Sequence, residues 1–310
     1  MNRSTVDVLC IGYACTDLTY QVAVHPAADE KIRAQQLMIS GGGPAANAAV
    51  AVSRLGGSAS FIGRIGSDPF AQAHLEELAD EGVHCEHCVR FSGPSPLATV
   101  YVKPDGKRSI VDYRRNPEQT EADVPIKIQI TPKVILFDGH RPELSASWLE
   151  FAEKENIPTI LDAGSVHEGT RYLCDKVDYL IASQRFGTDF TDERTPAAVI
   201  EKLQGPRNLT AVTWGDKGVY WSTASGAKHT PAYPVECIDS NGAGDAFHGA
   251  FAYFLSQKVS PAENVGLSSA VAALNCCGFG GRPSLPRKPE LLKFLHEHAP
   301  RLKSLFKELS

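Results

Sequence analysis

The residues most able to do chemistry lie in one short stretch, Asp239-Ser240-Asn241-Gly242-Ala243-Gly244-Asp245-Ala246-Phe247. A polar turn passes through small residues into an apolar segment. There Phe247, Ala250, Phe251 and Phe254 recur at helical spacing, so a helix is expected to start near Gly242. Amide groups at a helix start can approach an anion closely, and the helix dipole adds partial positive charge there. Gly242, Ala243 and Gly244 could therefore stabilise a phosphoryl group. A carboxylate beside such a turn, here Asp245, opposes simple anion binding by like-charge repulsion. It makes sense as a base that takes the proton of a hydroxyl attacking the phosphoryl group. The glycines alone would describe a capped turn equally well.

Other positions invite a chemical reading beside a structural one. The run Gly41-Gly42-Gly43-Pro44-Ala45-Ala46-Asn47 lets backbone approach a ligand and then opens a helix over 44–55, with proline in its first turn. Asn47 projects from that turn, as a ligand donor or a local cap. The buried-strand pattern Val6 to Ile11 is followed by Asp17, expected in a loop at the carboxyl end of the strand, where open α/β sheets bind ligands. A carboxylate accepts from two neighbouring hydroxyls, which suits a polyol; it also suits a solvated turn. A strand over 211–213 ends at Thr213, whose hydroxyl can bond a phosphate oxygen, and Gly215 and Gly218 permit a tight turn after it. That turn reads as a hairpin or as a nucleotide loop. His84-Cys85-Glu86-His87-Cys88 offers zinc-type ligands without a second ligand cluster, so Cys85 and Cys88 are expected to be free thiols.

Asp239 and Gly242 to Asp245 resemble the C-terminal signature of the PfkB family of carbohydrate kinases, with Ser240 and Asn241 where threonines are usual. The run from Gly41 to Ala49, then Gly56 and Gly66, resembles the family's upstream signature, and the two stand in the family's order. The resemblance covers nearly the whole chain. It implies a ribokinase-like three-layer α/β/α sandwich, a single kinase domain over 1–310, with a small β lid from about 14–40 and 97–114. It implies ATP and Mg2+, and K+ as a candidate monovalent cation near Asp239, Asn241 and Ser284. Asp245 becomes the catalytic base, with Gly242, Ala243 and Gly244 as its anion hole. Asp17, Gly42, Gly43 and Asn47 become sugar-binding residues; Ser183, Thr213, Gly215, Gly218 and Gly244 become nucleotide-binding.

The segments 30–33, 106–111 and 138–141 look like those of ketohexokinases, while 41–66 and Gly280-Gly281-Arg282 look like those of sulfofructose kinases. Lys31, Arg108, Asp112 and Arg141 are accordingly expected around the acceptor, a small sugar of ketohexose type. Asp112 stands where the sulfofructose enzymes carry asparagine. A carboxylate repels a sulfonate, so a neutral or amine-bearing sugar is expected. Two departures touch the metals. Ser183-Gln184-Arg185-Phe186 stands where the family often has Asn-x-x-Glu to order Mg2+, and Asn241 alters the cation loop. A sulfofructose kinase or a nucleoside kinase is the alternative within the family, and a catalytically dead sugar sensor the alternative outside enzymes. A nicotinamide dehydrogenase is disfavoured, because no Gly-x-Gly-x-x-Gly follows the first strand.

These residues need a scaffold, and the chain has material for one: 310 residues, 43% of them hydrophobic, ordinary globular usage. From Val134 onward strands alternate with helices, which implies a parallel sheet covered on both faces. Leu97 to Val102 and Arg108 to Tyr113 flank a hairpin turn and would complete the lid, with Arg114 and Arg115 beside it. Net charge is −5 and no long basic block exists, so nucleic acid is not an expected partner. The apolar runs are too short to span a bilayer. No signal-peptide pattern is present, and the eight cysteines are scattered without a framework; a reducing cytoplasm is expected. The open lid sheet would leave edges and an apolar face to cover, so a homodimer through the lid is expected, as is common in the family.

Overall fold

The structure, a computed structural model, describes residues 4–114, 130–223 and 226–309; Arg115 lies outside them. In chain order the strands are β1 (Ser4–Gly12), β2 (Cys15–Gln21), β3 (Gln36–Gly42), β4 (Ala59–Ile65), β5 (Val89–Arg90), β6 (Leu97–Val102), β7 (Arg108–Tyr113), β8 (Ile130–Phe137), β9 (Thr159–Ala163), β10 (Tyr179–Ser183), β11 (Leu209–Thr213), β12 (Val219–Thr223) and β13 (Gly226–Thr230). The helices are α1 (Pro44–Arg54), α2 (Pro69–Asp80), α3 (Pro142–Glu155), α4 (Glu168–Leu173), α5 (Gln184–Thr191), α6 (Pro196–Leu203), α7 (Ala243–Ser256), α8 (Pro261–Cys276), α9 (Lys288–His298) and α10 (Pro300–Glu308).

Consecutive apolar residues mark a strand buried on both faces, and β1 is one. It lies between β4 and β8, parallel to both, in a nine-stranded sheet ordered β13-β12-β11-β10-β9-β8-β1-β4-β5. Successive strand residues point to opposite faces. Val8, Cys10, Val134 and Leu136 pack with α1, α7, α8 and the C-terminal helices. Leu9, Ile11, Ile135 and Phe137 pack with α3, α5 and α6. The sheet is mixed rather than wholly parallel. β12 and β13 run antiparallel to their neighbours, because the turn after Thr213 is too short for a crossover.

The amphipathic pattern over 289–308 predicts one closing helix, and the structure has two. Pro300 lacks an N–H and restricts the residue before it, so α9 ends at His298 and α10 begins anew. The pair Cys85 and Cys88 packs against the first core, with Cys88 Sγ 3.6 Å from the Phe61 carbonyl oxygen. Among the described residues no helix is long and apolar enough to cross a membrane.

A separate four-stranded sheet, ordered β3-β2-β6-β7, forms the lid. Only Tyr13 and Ala14 separate β1 from β2, so Asp17 stands in the lid's central strand and not in a loop. Register then sorts its neighbours. Ser40, Asp17, Ala98 and Asp112 form one cross-strand row and so share one face; Ile110 and Arg108, two and four residues before Asp112, continue it. The opposite face carries Leu37, Ile39, Val111 and Tyr113, all exposed.

Candidate active site

The turn before α7 folds as its residue types require. Gly242 is the N-cap with φ 76°, a left-handed conformation that glycine adopts without strain. A Cβ there would stand 2.9 Å from Gly281 Cα. Ala243 N reaches back to the Ser240 carbonyl oxygen at 3.5 Å, and Ala246 N bonds Gly242 O at 2.8 Å. The amides of Gly244 and Asp245, in the helix's first turn, have no intrahelical acceptor. Gly244 is exposed, and a Cβ on it would meet nothing within 4 Å, so open space lies over those donors.

Asp245, half-buried, accepts a 2.7 Å hydrogen bond from Asn47 Nδ2 at the start of α1. Burial raises the carboxyl above its ordinary range, while the Asn47 bond and the His248 and Arg108 charges pull it back. Asn47 Oδ1 accepts from Arg282 Nε at 2.9 Å. Arg282 is wholly buried. It also donates to Gly42 O at 3.2 Å, lies 3.2 Å from His74 Nε2 and lies 3.6 Å from Glu77 Oε2. Asp17, 5% exposed, completes the row, with Asn241 Nδ2 3.4 Å from its Oδ2. Burial pushes it up to about 6, against the Cys15 thiol's hydrogen bond and the Arg282 charge.

Gly42 is glycine because a Cβ there would stand 2.2 Å from the Asp17 carboxylate. Gly43 holds φ 96° beside the Tyr13 carbonyl. Gly42→Ala is therefore expected to displace Asp17 and raise the KM for the acceptor roughly tenfold with little change for the nucleotide. Equal changes in both constants would remove Asp17 from the acceptor side.

The nucleotide candidates stand at neighbouring strand ends, Ser183 paired in register with Thr213. Gly215, with φ 60° and nothing near a Cβ, faces open space. Gly218 does not. It is buried, and a Cβ would stand 2.2 Å from Thr230 O, so that glycine serves the β11–β12 turn. Ser183 caps α5 and donates to Gly164 O at 2.7 Å. In the loop expected to hold a cation, both Asp239 oxygens accept backbone N–H groups, from Asn241 at 2.8 Å and Gly280 at 3.0 Å. Asn275 donates to Asn241 O while its own buried Oδ1 has no partner among the described residues. Ser284 N lies 3.3 Å from Gly280 O.

At the far end of the cleft Asp112 accepts from Tyr13 Oη at 3.2 Å and is paired with Arg114. Arg114 also covers the Tyr13 ring and reaches His140, and His140 stacks on His167 at 4.4 Å. Burial depresses both histidines, to about 3 and about 4. Arg141 is buried at the start of α3, with Nε unpartnered among the described residues. Lys31 is exposed in the β2–β3 connection. Arg108 crosses to the turn before α7, donating to Ser240 Oγ at 2.8 Å, and Ser240 Oγ in turn lies 3.1 Å from Gly106 O.

Residues 6–288 match the family model described as pfkB family carbohydrate kinase. The chain belongs to that family. Its members are phosphotransferases with an alcohol group as acceptor. The chain is 26% identical to the ribokinase of Bacillus subtilis over 93% of this chain and 99% of the relative. It is 29% identical to the probable fructokinase-5 of Arabidopsis thaliana over 82% and 87%. The crystal structure of a putative ribokinase from Agrobacterium tumefaciens superposes with a TM-score of 0.84 at 28% identity, over 96% and 100% of the two chains.

Within this pfkB chain the structure joins Asp17, Gly42, Asn47, Asn241 and Asp245 in one cluster. Sequence reasoning missed two of its supports. Arg282 enters the sequence reading only within Gly280-Gly281-Arg282, as a likeness to sulfofructose kinases. Asp138 accepts from the amides of Tyr13, Ala45 and His140 and so ties β1, α1 and β8 together. The signal for it was Gly12, where a Cβ would stand 2.1 Å from the Asp138 carboxylate.

Proposed function

We propose that this chain transfers the terminal phosphoryl group of ATP to a primary hydroxyl of a small sugar of ketohexose type. The 2.7 Å bond between Asn47 and Asp245 carries the reading. It sets the residue expected to hold the acceptor against the residue expected to deprotonate it, although the two are far apart in the chain. Asp17 and Asn47 would take neighbouring hydroxyls. Asp245 would remove the proton while the Gly244 and Asp245 amides face the charge developing on the phosphoryl oxygens. Such transfers depend mostly on positioning and charge neutralisation. ATP would lie over Gly244 and Gly215 beside Ser183 and Thr213. The Arg108 bonds to Ser240 would hold the lid down, excluding water.

Mg2+ would enter on the ATP phosphates. The residues at the family's Asn-x-x-Glu position do not fit a metal shell. Ser183 Oγ is committed to Phe186 N and Gly164 O, and Phe186 is fully buried. Around Asp239 the donor set does fit a monovalent cation such as K+. The carboxylate, the unpartnered Asn275 Oδ1 and the loop near Asn241 and Ser284 are all oxygen ligands, and the ion would add positive charge beside the anion hole.

A phosphorylation screen across ketoses, ribose, sulfosugars and nucleosides tests the reading. ATP-dependent turnover of a ketohexose is expected. Preferential turnover of ribose would move the acceptor to pentoses, as the ribokinase relatives favour. ATP binding with no turnover of any acceptor would favour a sugar sensor. Asp112 lies on the cleft face of the lid and Lys31 points to solvent, so fructose is expected to exceed sulfofructose in kcat/KM, and Asp112→Asn to narrow the gap. A strong wild-type preference for sulfofructose would overturn this. The exposed Leu37, Ile39, Val111 and Tyr113 face would be covered by a second copy. A dimeric mass at micromolar concentration is expected, converted to monomer by Ile39→Asp; full activity in a strictly monomeric wild type would remove the claim.

A further inference from the structure

His248 lies one turn after Asp245 on α7 and is buried with Asp162 of β9, at 3% and 6% side-chain exposure. Its ring faces three oxygens. Nδ1 is 2.6 Å from Gly244 O and 3.3 Å from Asp162 Oδ2. Nε2 is 3.1 Å from the carbonyl oxygen of Ile181 in β10. A peptide carbonyl has no hydrogen to give, so a ring nitrogen bonded to one must carry the hydrogen itself. Both nitrogens face a carbonyl oxygen. A neutral imidazole would leave one lone pair against a buried oxygen, with no water to relieve it.

We propose that His248 is held as an imidazolium with Asp162 as its counter-ion, and that it is the positioning residue of the anion hole. Gly244 C=O and Asp245 N–H belong to one peptide plane and point in opposite directions along the helix. A bond from Nδ1 to Gly244 O fixes that plane from below and turns the Asp245 N–H outward, over the open space where a phosphoryl group would sit. The same ring sets a positive charge beneath the Asp245 carboxylate and favours its ionised, proton-accepting form. The inference rests on the phosphoryl-transfer reading for its role, though not for the state of the ring.

Other charged groups also bear on Asp245, and they come from every side: Arg108 of β7, Asp17 of β2, Asp138 after β8 and Asp162 of β9, with the Asn47 amide of α1 in contact. Three of these are carboxylates. Against them the His248 ring sets a positive charge beneath the base, while Arg282 reaches it only through Asn47.

The experiment has two arms. In the first, NMR of 15N-histidine-labelled wild type, assigned with His248→Gln, is expected to read both ring nitrogens of His248 protonated at neutral pH. One unprotonated nitrogen overturns the proposal, and no sugar is needed, so failure of the acceptor reading leaves this arm intact. The second uses ATP and the sugar accepted by wild type. His248→Asn keeps a donor near Gly244 O without the charge; His248→Gln keeps only a donor near Ile181 O. The expected loss of kcat is roughly tenfold for the first and larger for the second, with the sugar KM little changed. The acidic limb of kcat is expected to move up by about one unit in both. An unmoved limb, or equal losses at every pH with both KM values rising, would mean that His248 only packs the core.

Discussion

Asp245→Asn is expected to lower kcat by about 10²–10⁴-fold, the usual worth of a general base, while leaving the fold and ATP binding close to wild type. The substitution is nearly isosteric, and an amide oxygen at that position can still accept from Asn47 Nδ2, as Asp245 Oδ2 does at 2.7 Å. The link between α1 and α7 therefore survives and only proton acceptance is lost. The Gly244 amide that faces the phosphoryl space is untouched. The pH dependence adds a second readout. Burial raises the Asp245 carboxyl, so the ionised base forms at a higher pH than for a free aspartate, and wild-type kcat should climb as pH rises through that value. The climb should be absent in the variant. A near-normal kcat, or a profile of unchanged shape, would show that another group takes the proton.

What the sequence made legible was what local chemistry decides. α2 runs from Pro69 to Asp80, a start that the sequence marks locally, because proline suits the first helical turn and Asp68 caps it. The pair 97–102 and 108–113 became β6 and β7 as read, because a turn-rich pentapeptide separates two β-prone runs. Less local features were hidden. Gly218 reads equally as a hairpin glycine or a nucleotide glycine, because both turns ask for the same residue, and the nearness of Thr230 that accounts for it in the hairpin is not visible in the sequence. Asp17 was expected in a loop because nothing in its own neighbourhood reports that the chain turns into a second sheet after two residues. Asp112 has Lys31 or Arg114 as partners by charge alone. The register of β7 gives it Arg114, and Tyr13 besides, a choice of tertiary placement that no single segment encodes. Arg282 is the extreme case, since its meaning depends on α1, α2 and β3 meeting around it.

Arg282→Met is expected to cost both stability and acceptor binding. The guanidinium is wholly buried and satisfies Asn47 Oδ1 and Gly42 O; methionine fills much of the space and donates to neither. Each of the two buried acceptors left unpaired costs about 1–3 kcal/mol, so a loss of about 2–6 kcal/mol is expected, read as a fall in the midpoint of denaturant unfolding. Glu77 adds less than a buried partner would, because at 32% side-chain exposure it can recover water. The functional effect follows from Asp17. Burial lifts that carboxyl to about 6, with the Cys15 bond and then the Arg282 charge holding it down. In wild type, then, Asp17 is ionised at neutral pH, and the sugar KM should rise as pH falls through about 6. Without the guanidinium the ionised form loses support and the rise should begin at higher pH, so that at neutral pH the variant binds sugar worse while its KM for ATP changes little. Arg282→Lys separates the two effects: it keeps the charge near Asp17 but cannot bond Asn47 and Gly42 together, so it should restore the pH profile more than the stability. If Arg282→Met unfolds at the wild-type denaturant concentration, or its sugar KM follows the wild-type pH curve, Arg282 does not organise the acceptor side.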